Sequence, residues 1–333
     1  MDVAERYRFA HKRRGKMIDL SIVIVSYNTL RLTRECIEST LRGLGKLSAE
    51  VIVVDNHSTD GSVEMILGEF PSVRLIENAT NAGFAAANNQ ALRVAVGRHL
   101  LLLNSDTVVL GDVLDKSVEY MDGNPGVAVM GCRVLNGDGS LQHTCSMFPS
   151  PLNLGLMTLG VDRLGWPAWL NRYRMTHWDR REEREVEVVT GCYMLIRREA
   201  LEEVGGLDEG FFFYGEETDW CRRCGDAGWG VRFAPVGEIV HYGSGSCRSL
   251  NYRRDLLLSR GLVGVNRKHG GVVAGAATWV VLLVFNVSRC VGYAARCAVR
   301  GGWAGSGGGR VSHFARVSMS FHTVWGRGTA GGL

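Results

Sequence analysis

Up to about residue 130 the chain alternates between two apolar patterns. Unbroken branched or aliphatic runs occur at 20–26 (LSIVIVS), 50–55 (EVIVVD), 73–77 and 98–103 (RHLLLL). A strand covered on both faces shows such a run rather than a period-two alternation, so each predicts a buried strand. Between the runs the apolar positions take helical spacing. Leu30, Cys36, Ile37 and Leu41 mark a helix over 30–42; 62–69, the Ala-rich 82–96 and 112–122 predict three more, and 127–130 a further strand. Strand and helix in alternation predict an α/β fold with a mainly parallel central sheet flanked by helices. In such sheets ligands bind beyond the carboxyl ends of the strands. Tyr27, Asn28, Asp55, Asn56, Asn104, Ser105 and Asp106 fall there.

Past residue 130 the alternation stops. Residues 136–185 are rich in turn formers, Trp, Met and charge, and predict a long loop region. Order returns as one or two strands over 187–197, a short helix at 198–204, a helix at 220–227, and strands at 230–235 and 238–241. A basic amphipathic stretch at 252–269 precedes 271–288, 18 residues without a charge. That length is at the short edge of a membrane span and equally suits a helix lying in the interface or packing against protein. The last 33 residues are Gly-rich and predict a mobile tail.

Composition adds limits. The chain has 333 residues, 46% hydrophobic and 22% charged, enough to bury a substantial core and too apolar for wholesale disorder. A net charge of +4 is too mild to argue for nucleic acid. The charge gathers at the ends: six basic residues lie within 1–16, and 289–333 carries six Arg and no acid. Two basic ends suggest an anionic surface such as membrane lipid, or simply solvated termini. Nine cysteines, an odd number with no apolar leader before the first strand, read as reduced cytosolic thiols. The Cys221/Cys224 pair has no partner set for zinc and reads as incidental.

No P-loop and no GxGxxG after the first strand is present, so the chemistry rests on acids, Asn and one His. Asp55 closes a buried strand and suits either a base- or ribose-binding acceptor or a helix cap, a task Ser58, Thr59 or Asp60 also fits. Asp106 follows four leucines and, with Asn104 and Ser105, offers hard oxygen donors for a divalent cation; the same tripeptide is also turn chemistry. Glu216, Glu217 and Asp219 follow an aromatic cluster at 211–214. They suit a capped helix start or a partly desolvated general base. His241 ends the last core strand and is a structural residue or a metal ligand.

The ordered set SIVIVSYN (21–28), VIVVDNHSTDGS (51–62), NAGFAAANNQAL (81–92), LLLLNSD (100–106), FFFYGEETDWCRR (211–223) and HYGSGS (241–246) resembles the family 2 glycosyltransferases of the GT-A fold, in particular the bacterial rhamnosyltransferase-like branch. The resemblance covers about 19–250. It implies a GT-A-type nucleotide-diphospho-sugar transferase fold, with a C-terminal helical hydrophobic extension here. It implies that Ser26, Tyr27 and Asn28 line the nucleotide pocket, that Asp55 reads the pyrimidine, and that Asn81, Gly83, Phe84 and Asn88 shape the sugar-nucleotide loop. Asp106 matches the last acid of the metal-binding DxD, His241 a position that completes the metal shell, and Glu217 the catalytic base, with Glu216 and Asp219 beside it at the substrate. Two departures stand out: the DxD is Asn104-Ser105-Asp106, and the usual Glu-Asp is Glu216-Glu217.

The expected enzyme is therefore an inverting, Mg2+- or Mn2+-dependent glycosyltransferase acting by single displacement. By resemblance the donor is dTDP-rhamnose and the acceptor a lipid-linked or cell-envelope saccharide; the apolar run 271–288 and the basic ends support an acceptor at the membrane, at the cytoplasmic face of the inner membrane, and no nucleic-acid partner is expected. A galactofuranosyl or other hexosyl donor stays open. So does a non-catalytic glycan- or lipid-binding protein on the same fold. A nucleotidyltransferase would want a Gly- and Arg/Lys-rich loop where Tyr27-Asn28-Thr29 stands. The expected organisation is a basic tail (1–18), a catalytic domain (19–250, its halves 19–130 and 131–250), a membrane-associated helical extension (251–300) and a flexible tail (301–333).

Overall fold

The computed structural model describes residues 18–161, 170, 173–243, 251–300 and 306–325. Residues 1–17 of the basic tail, residues 244–246 of the last motif, and 301–305 and 326–333 of the C-terminal tail lie outside these. The chain divides into two compact units. One holds the residues up to Ser146, with Trp178–Phe212 and Glu217–Gly243; the other holds Met147–His177, Phe213–Glu216 and Ser244–Leu333.

The first unit carries the sheet. Its elements are β1 (Leu20–Ser26), α1 (Leu30–Arg42), β2 (Ala49–Asp55), α2 (Ser62–Glu69), β3 (Arg74–Glu77), α3 (Phe84–Val94), β4 (His99–Asn104), β5 (Thr107–Val109), α4 (Val113–Gly123) and β6 (Val127–Leu135). The strand order is β3-β2-β1-β4-β8-β6-β9-β5, where β8 is Tyr193–Arg197 and β9 is Gly230–His241; β7 (Arg184–Glu185) pairs with β9. Neighbours among β1 to β4 run parallel, whereas β8 is antiparallel to both β4 and β6. The sheet is thus parallel in its first half and mixed in its second.

The unbroken apolar runs have the physical cause inferred for them. On one face Ile22, Ile24, Val51, Val53, Leu101 and Leu103 join a core with Cys36 and Ile37 of α1, Met65 and Ile66 of α2, and Val113, Leu114 and Val118 of α4. The alternate residues Val23, Ile52, Val54, Leu100 and Leu102 are equally buried, and period two puts them on the other face. There α3, whose Ala85, Ala87 and Ala91 are fully buried, packs on β1 and β2.

Beyond β6 the sequence pattern is weaker and the structure departs from it. Within the expected loop 136–185, Ser150 accepts a hydrogen bond from the Asn153 backbone N–H and Pro151 occupies the first turn of α5 (Pro151–Thr158). A Ser-Pro helix start is a sequence signal, but the helix is too short to show a period. The strands expected at 230–235 and 238–241 are one, β9, whose pairing with β6 shifts register between Gly131 and Arg133. After α6 (Arg198–Val204), the helix α7 (Glu216–Asp226) begins four residues earlier than its apolar spacing indicates.

The second unit groups α5 with the C-terminal helices rather than with 131–250. Leu154 of α5 shares a core with Leu256, Val263 and Leu282 of α8 (Tyr252–Arg300) and with Val317, Phe321 and Val324. The helix α8 is interrupted at Gly271, whose φ of 75° suits glycine alone. The expectation of a flexible tail is corrected over 306–325. Ser306–Met319 forms α9, and Phe321–Trp325 a 3-10 turn. His313, Val317, Phe321 and Val324 recur at helical spacing and are buried, a stripe that outweighs the local glycines.

Asp60, one of the three alternative caps, holds two helix starts at once. Its Oδ2 accepts from the Leu30 N–H of α1 at 2.8 Å, and its Oδ1 from the Ser62 N–H and hydroxyl of α2 at 3.1 and 2.6 Å. Burial raises its pKa, but the bonds from Ser62 and Leu30 outweigh that, and the carboxyl lies below its ordinary value. A depressed carboxylate stabilises the fold above its unfolded pKa, and that contribution fades as pH falls through the folded one. Asp60→Ala should lower unfolding free energy by about 1–2 kcal/mol near neutral pH. In urea titrations the gap to wild type should narrow below about pH 4.

Candidate active site

In the first unit β1, β2 and β4 are aligned in register, so Ser26 lies opposite Asp55 and Val25 opposite Asn104. Polar residues from three strands therefore end at one edge of the sheet. Ser26 is fully buried, with its Oγ 3.0 Å from Thr33 Oγ1. Thr33 is 3.0 Å from Thr29, which is 3.2 Å from Ser105 Oγ. This hydroxyl ladder ties the loop after β1 to the turn after β4, with Ser26 buried at its inner end. Tyr27 is 48% exposed. Asn28, at φ 51°, donates its N–H to Ser58 Oγ (2.9 Å) and accepts the Thr59 N–H on Oδ1 (2.8 Å).

Asp55 is buried, and its Oδ1 accepts from the Ser58 N–H at 2.8 Å. Its Oδ2 is buried with no hydrogen-bond partner among the described residues. A desolvated carboxylate oxygen is costly unless a donor meets it, so it is an acceptor suited to a ligand N–H or O–H.

Asn56, the next residue, organises the loop before α3. Its Nδ2 donates to Asn81 Oδ1 (2.8 Å) and the Gly83 carbonyl (3.3 Å), while its Oδ1 accepts from the Ala82 N–H (2.9 Å) and Asn78 Nδ2 (3.0 Å). Asn81 Oδ1 also takes the Gly83 N–H. Gly83 sits at φ 87°, where a Cβ would lie 2.6 Å from the Phe212 carbonyl, and the Phe84 N–H donates to that same oxygen. Asn88 is buried and donates to the Phe84 carbonyl, which fixes the first turn of α3.

Pairing of β5 with β9 sets Thr107 opposite His241, and the Tyr242 N–H donates to the Asp106 carbonyl. That register brings His241 Nε2 to 3.2 Å from Asp106 Oδ1 and 3.3 Å from Asn104 Nδ2. Its Nδ1 lies 2.7 Å from Gln142 Oε1. Gln142 has its amide nitrogen committed to Asn136 Oδ1 (2.8 Å), so its oxygen must face the imidazole and receive the Nδ1–H. The ring's Nε2 is thereby left as the acceptor nitrogen, facing a carboxylate oxygen. Two electron-rich atoms 3.2 Å apart are favourable when a proton or a cation lies between them, and the acceptor face of a neutral imidazole is the one that ligates metals. Among the described residues no cluster of three or more His, Cys, Asp or Glu side chains suits a metal. Asp106 and His241 are therefore a pair, short of such a cluster.

Glu216 and Glu217 open α7, after Tyr214 and Gly215 at positive φ. Glu216 is buried and Glu217 half-buried. Asp219 is buried against Arg223 (2.9 Å), whose guanidinium also donates to the carbonyls of Val204 and Gly206. Trp220 Nε1 donates to the Gly205 carbonyl at 2.7 Å. Asp219 therefore helps to lock α7 onto the turn after α6. Burial pushes the Cys192 thiol pKa far up, and Cys145, Asp106 and Glu217 add to the rise. The Cys192 carbonyl accepts the Asn104 N–H at 3.4 Å. Sequence reading missed Gln142, Asn136 and the Thr29/Thr33 ladder, since polar residues in loops carry no period and only the register of β5 on β9 aims them.

The family model described as Glycosyl transferase family 2 matches residues 21–205, over half of the chain. The N-acetylglucosaminyl-diphospho-decaprenol L-rhamnosyltransferase of Mycobacterium tuberculosis is 28% identical over 207 residues, 58% of this chain and 66% of that protein. The chain thus matches slightly less than two thirds of that relative's length. The O-antigen biosynthesis protein RfbC of Myxococcus xanthus is 27% identical over 254 residues, 73% of this chain and 19% of that one. Among solved structures, the mannosyltransferase PcManGT of Pyrobaculum calidifontis in complex with GDP-Man and Mn2+ aligns with a TM-score of 0.53 at 18% identity, covering 96% of this chain and 89% of that one. The fold is of the GT-A type.

Two outcomes test this geometry. Gly83→Ala should cost on the order of 1–3 kcal/mol in chemical denaturation, because both the backbone conformation and the Phe212 contact oppose a Cβ. Gln142→Leu should leave His241 as a mixture of tautomers in imidazole 15N NMR, whereas Gln142→Glu, which still accepts the Nδ1–H, should keep one.

Proposed function

The chain belongs to glycosyl transferase family 2, and on that premise we propose that it transfers rhamnose from dTDP-rhamnose to a hydroxyl of a lipid-linked or cell-envelope saccharide, with inversion. The observation that carries this reading is the pairing of Asp106 with His241 at the sheet edge where Asp55 keeps a buried oxygen without a protein partner. A leaving-group site and a base must face one anomeric carbon, so the reading requires Glu217 to face that same edge. The donor and acceptor classes are supported by the mycobacterial relative, whose name specifies an L-rhamnosyltransferase acting on a diphospho-decaprenol-linked sugar.

In this reading the orphaned Oδ2 of Asp55 receives a donor N–H of the nucleotide base. Asn28 and the loop shaped by Asn81, Gly83 and Phe84 border the nucleotide. Asp106 and His241 would hold a divalent cation, Mg2+ or Mn2+, with diphosphate oxygens and water completing its shell. When bound, that ion neutralises charge on the departing nucleoside diphosphate. Asn104 replaces the first acid of the usual DxD, so a neutral amide stands beside the single carboxylate; Gln142 compensates by fixing the imidazole's acceptor nitrogen. Glu217 accepts the proton of the acceptor hydroxyl as its oxygen bonds to the anomeric carbon. The bond from that carbon to the phosphate oxygen breaks, and its electron pair leaves on the diphosphate. A single displacement of this kind inverts the centre. The reading keeps Ser105 and Glu216 as substrate-binding residues, and Asp219 acts by holding α7 in place. The reading sets the enzyme at the cytoplasmic face of the inner membrane. The free state of all eight described cysteines supports a reducing compartment.

The test is transfer from dTDP-rhamnose by the full chain with Mg2+ or Mn2+. Glu217→Gln should lower kcat by about 10²–10⁴-fold with the donor KM little changed. Retention of the full rate would remove Glu217 as the base. Asp106→Asn should weaken Mn2+ binding measured directly by calorimetry or EPR. A thermal-shift screen of nucleotide-sugars should give its largest stabilisation with dTDP-rhamnose; a response to a hexosyl or galactofuranosyl donor alone would replace the donor, and binding of donors without any turnover would favour a binding protein.

A further inference from the structure

The helix α8 beyond Gly271 is patterned inside out. Val273, Val280, Val284, Val287 and Val291 are 82%, 52%, 51%, 43% and 62% exposed, and Ala276, Ala295 and Ala298 on the same helical stripe are exposed too. At 1.5 Å per residue this uncharged outward stripe is about 37 Å long. By length and composition α8 is apolar enough to cross a membrane, yet only 22% of its most apolar stretch is buried.

Its other face is not available to lipid. Thr278, Leu282, Asn286 and Cys297 are buried there. Leu282 shares a core with Val317, Phe321 and Val324 after it and with Leu256 and Val263 before the break, and Trp279 Nε1 donates to the Phe321 carbonyl. The helix α9 that packs along α8 carries Arg310, His313 and Arg316, and His313 pairs with Asp255 at 2.9 Å. A transmembrane α8 would have to shed this core or take those ionisable groups into hydrocarbon. The packing therefore leaves one mode of lipid contact, along the stripe and in the plane of the surface.

Charge selects the lipid. After Asp255 the sequence holds no acidic residue, against eight Arg and one Lys. Several of these cations sit over aromatic rings: Arg289 over Phe285 (4.9 Å), Arg310 over Tyr293 (5.2 Å) and Arg267 over Trp325 (5.6 Å). Such pairs hold the guanidinium beside an aromatic ring, and aromatic and Arg side chains are both suited to the headgroup level.

We propose that the second unit is a membrane-surface module. The arm 272–300 lies in the plane of an anionic bilayer leaflet, with the five valines in the acyl boundary and the arginines at the headgroup phosphates, and it does not span. This deepens the proposed function, since a lipid-linked acceptor is presented at such a surface, and it rests on that reading for its purpose. The binding itself is measured without donor or acceptor, so failure of one is distinguishable from failure of the other.

The experiment is flotation of the full chain with phosphatidylcholine vesicles, with and without phosphatidylglycerol. The expected result is at least about tenfold stronger binding to the anionic vesicles, reversed by molar salt or alkaline carbonate. The double variant Val280→Asp, Val287→Asp should lose about tenfold or more of that binding with its melting temperature unchanged. Should that variant fail to fold, Arg289→Gln with Arg296→Gln gives the same readout through charge. Equal binding to neutral and anionic vesicles would overturn the proposal, as would binding that survives salt and carbonate, the mark of a spanning helix. A stripe that instead holds two copies together would show as a dimer in sedimentation, lost in the valine variant without vesicles, and would overturn it as well.

Discussion

The constraint on which the first unit depends is coverage of β1, β2 and β4 on both faces. With α1, α2 and α4 packed on one side and α3 on the other, no position within these strands can present a polar group to solvent. Functional side chains are forced to the strand ends, and the parallel register brings the ends together: Ser26 meets Asp55, and Asn104 follows beside Val25. The polar groups at that edge then secure one another. The ladder from Ser26 through Thr33 and Thr29 to Ser105, and the four hydrogen bonds of Asn56, turn three loops into a fixed rim. Asp55 Oδ2 stays without a protein donor because its neighbours are already committed elsewhere.

The second half of the sheet adds a different kind of control. The antiparallel β5–β9 pair sets His241 beside Asp106 by register alone, and the Asn136–Gln142 relay settles which imidazole nitrogen faces the carboxylate. The single acid of Asn104-Ser105-Asp106 is thus part of a longer hydrogen-bonded chain. Glu217 stands on α7, which Asp219, Trp220 and Arg223 hold against the turn at 204–206. Burial raises the Cys192 thiol pKa and leaves it inert as a nucleophile.

The second unit uses the hydrophobic effect in the opposite sense. Its core lies between α5, the two arms of α8 and α9, and the surplus apolar surface is displayed rather than hidden. Isolated exposed valines are unremarkable, but a continuous uncharged stripe is a surface awaiting a partner. The break at Gly271 separates an arm whose outer face is basic from one whose outer face is apolar.

The sequence alone determined the alternation of strand and helix through residue 130, the strand ends at which polar residues gather, and the ordered motifs that point to the family. Each of these rests on local period or on residues adjacent in the chain, which the code of burial writes directly. Tertiary structure decided the rest. The helix at 306–319 was hidden by glycines because its stability comes from a stripe meeting another helix. The role of Gln142 was hidden because a loop amide has no pattern until a strand register aims it. The sequence also left the run 271–288 open between span, surface helix and packing helix, since composition counts apolar residues but does not say which side of a helix is already covered. Only the packing of Leu282, Val317 and Phe321 fixes one face inward, and with it the direction in which the valines point.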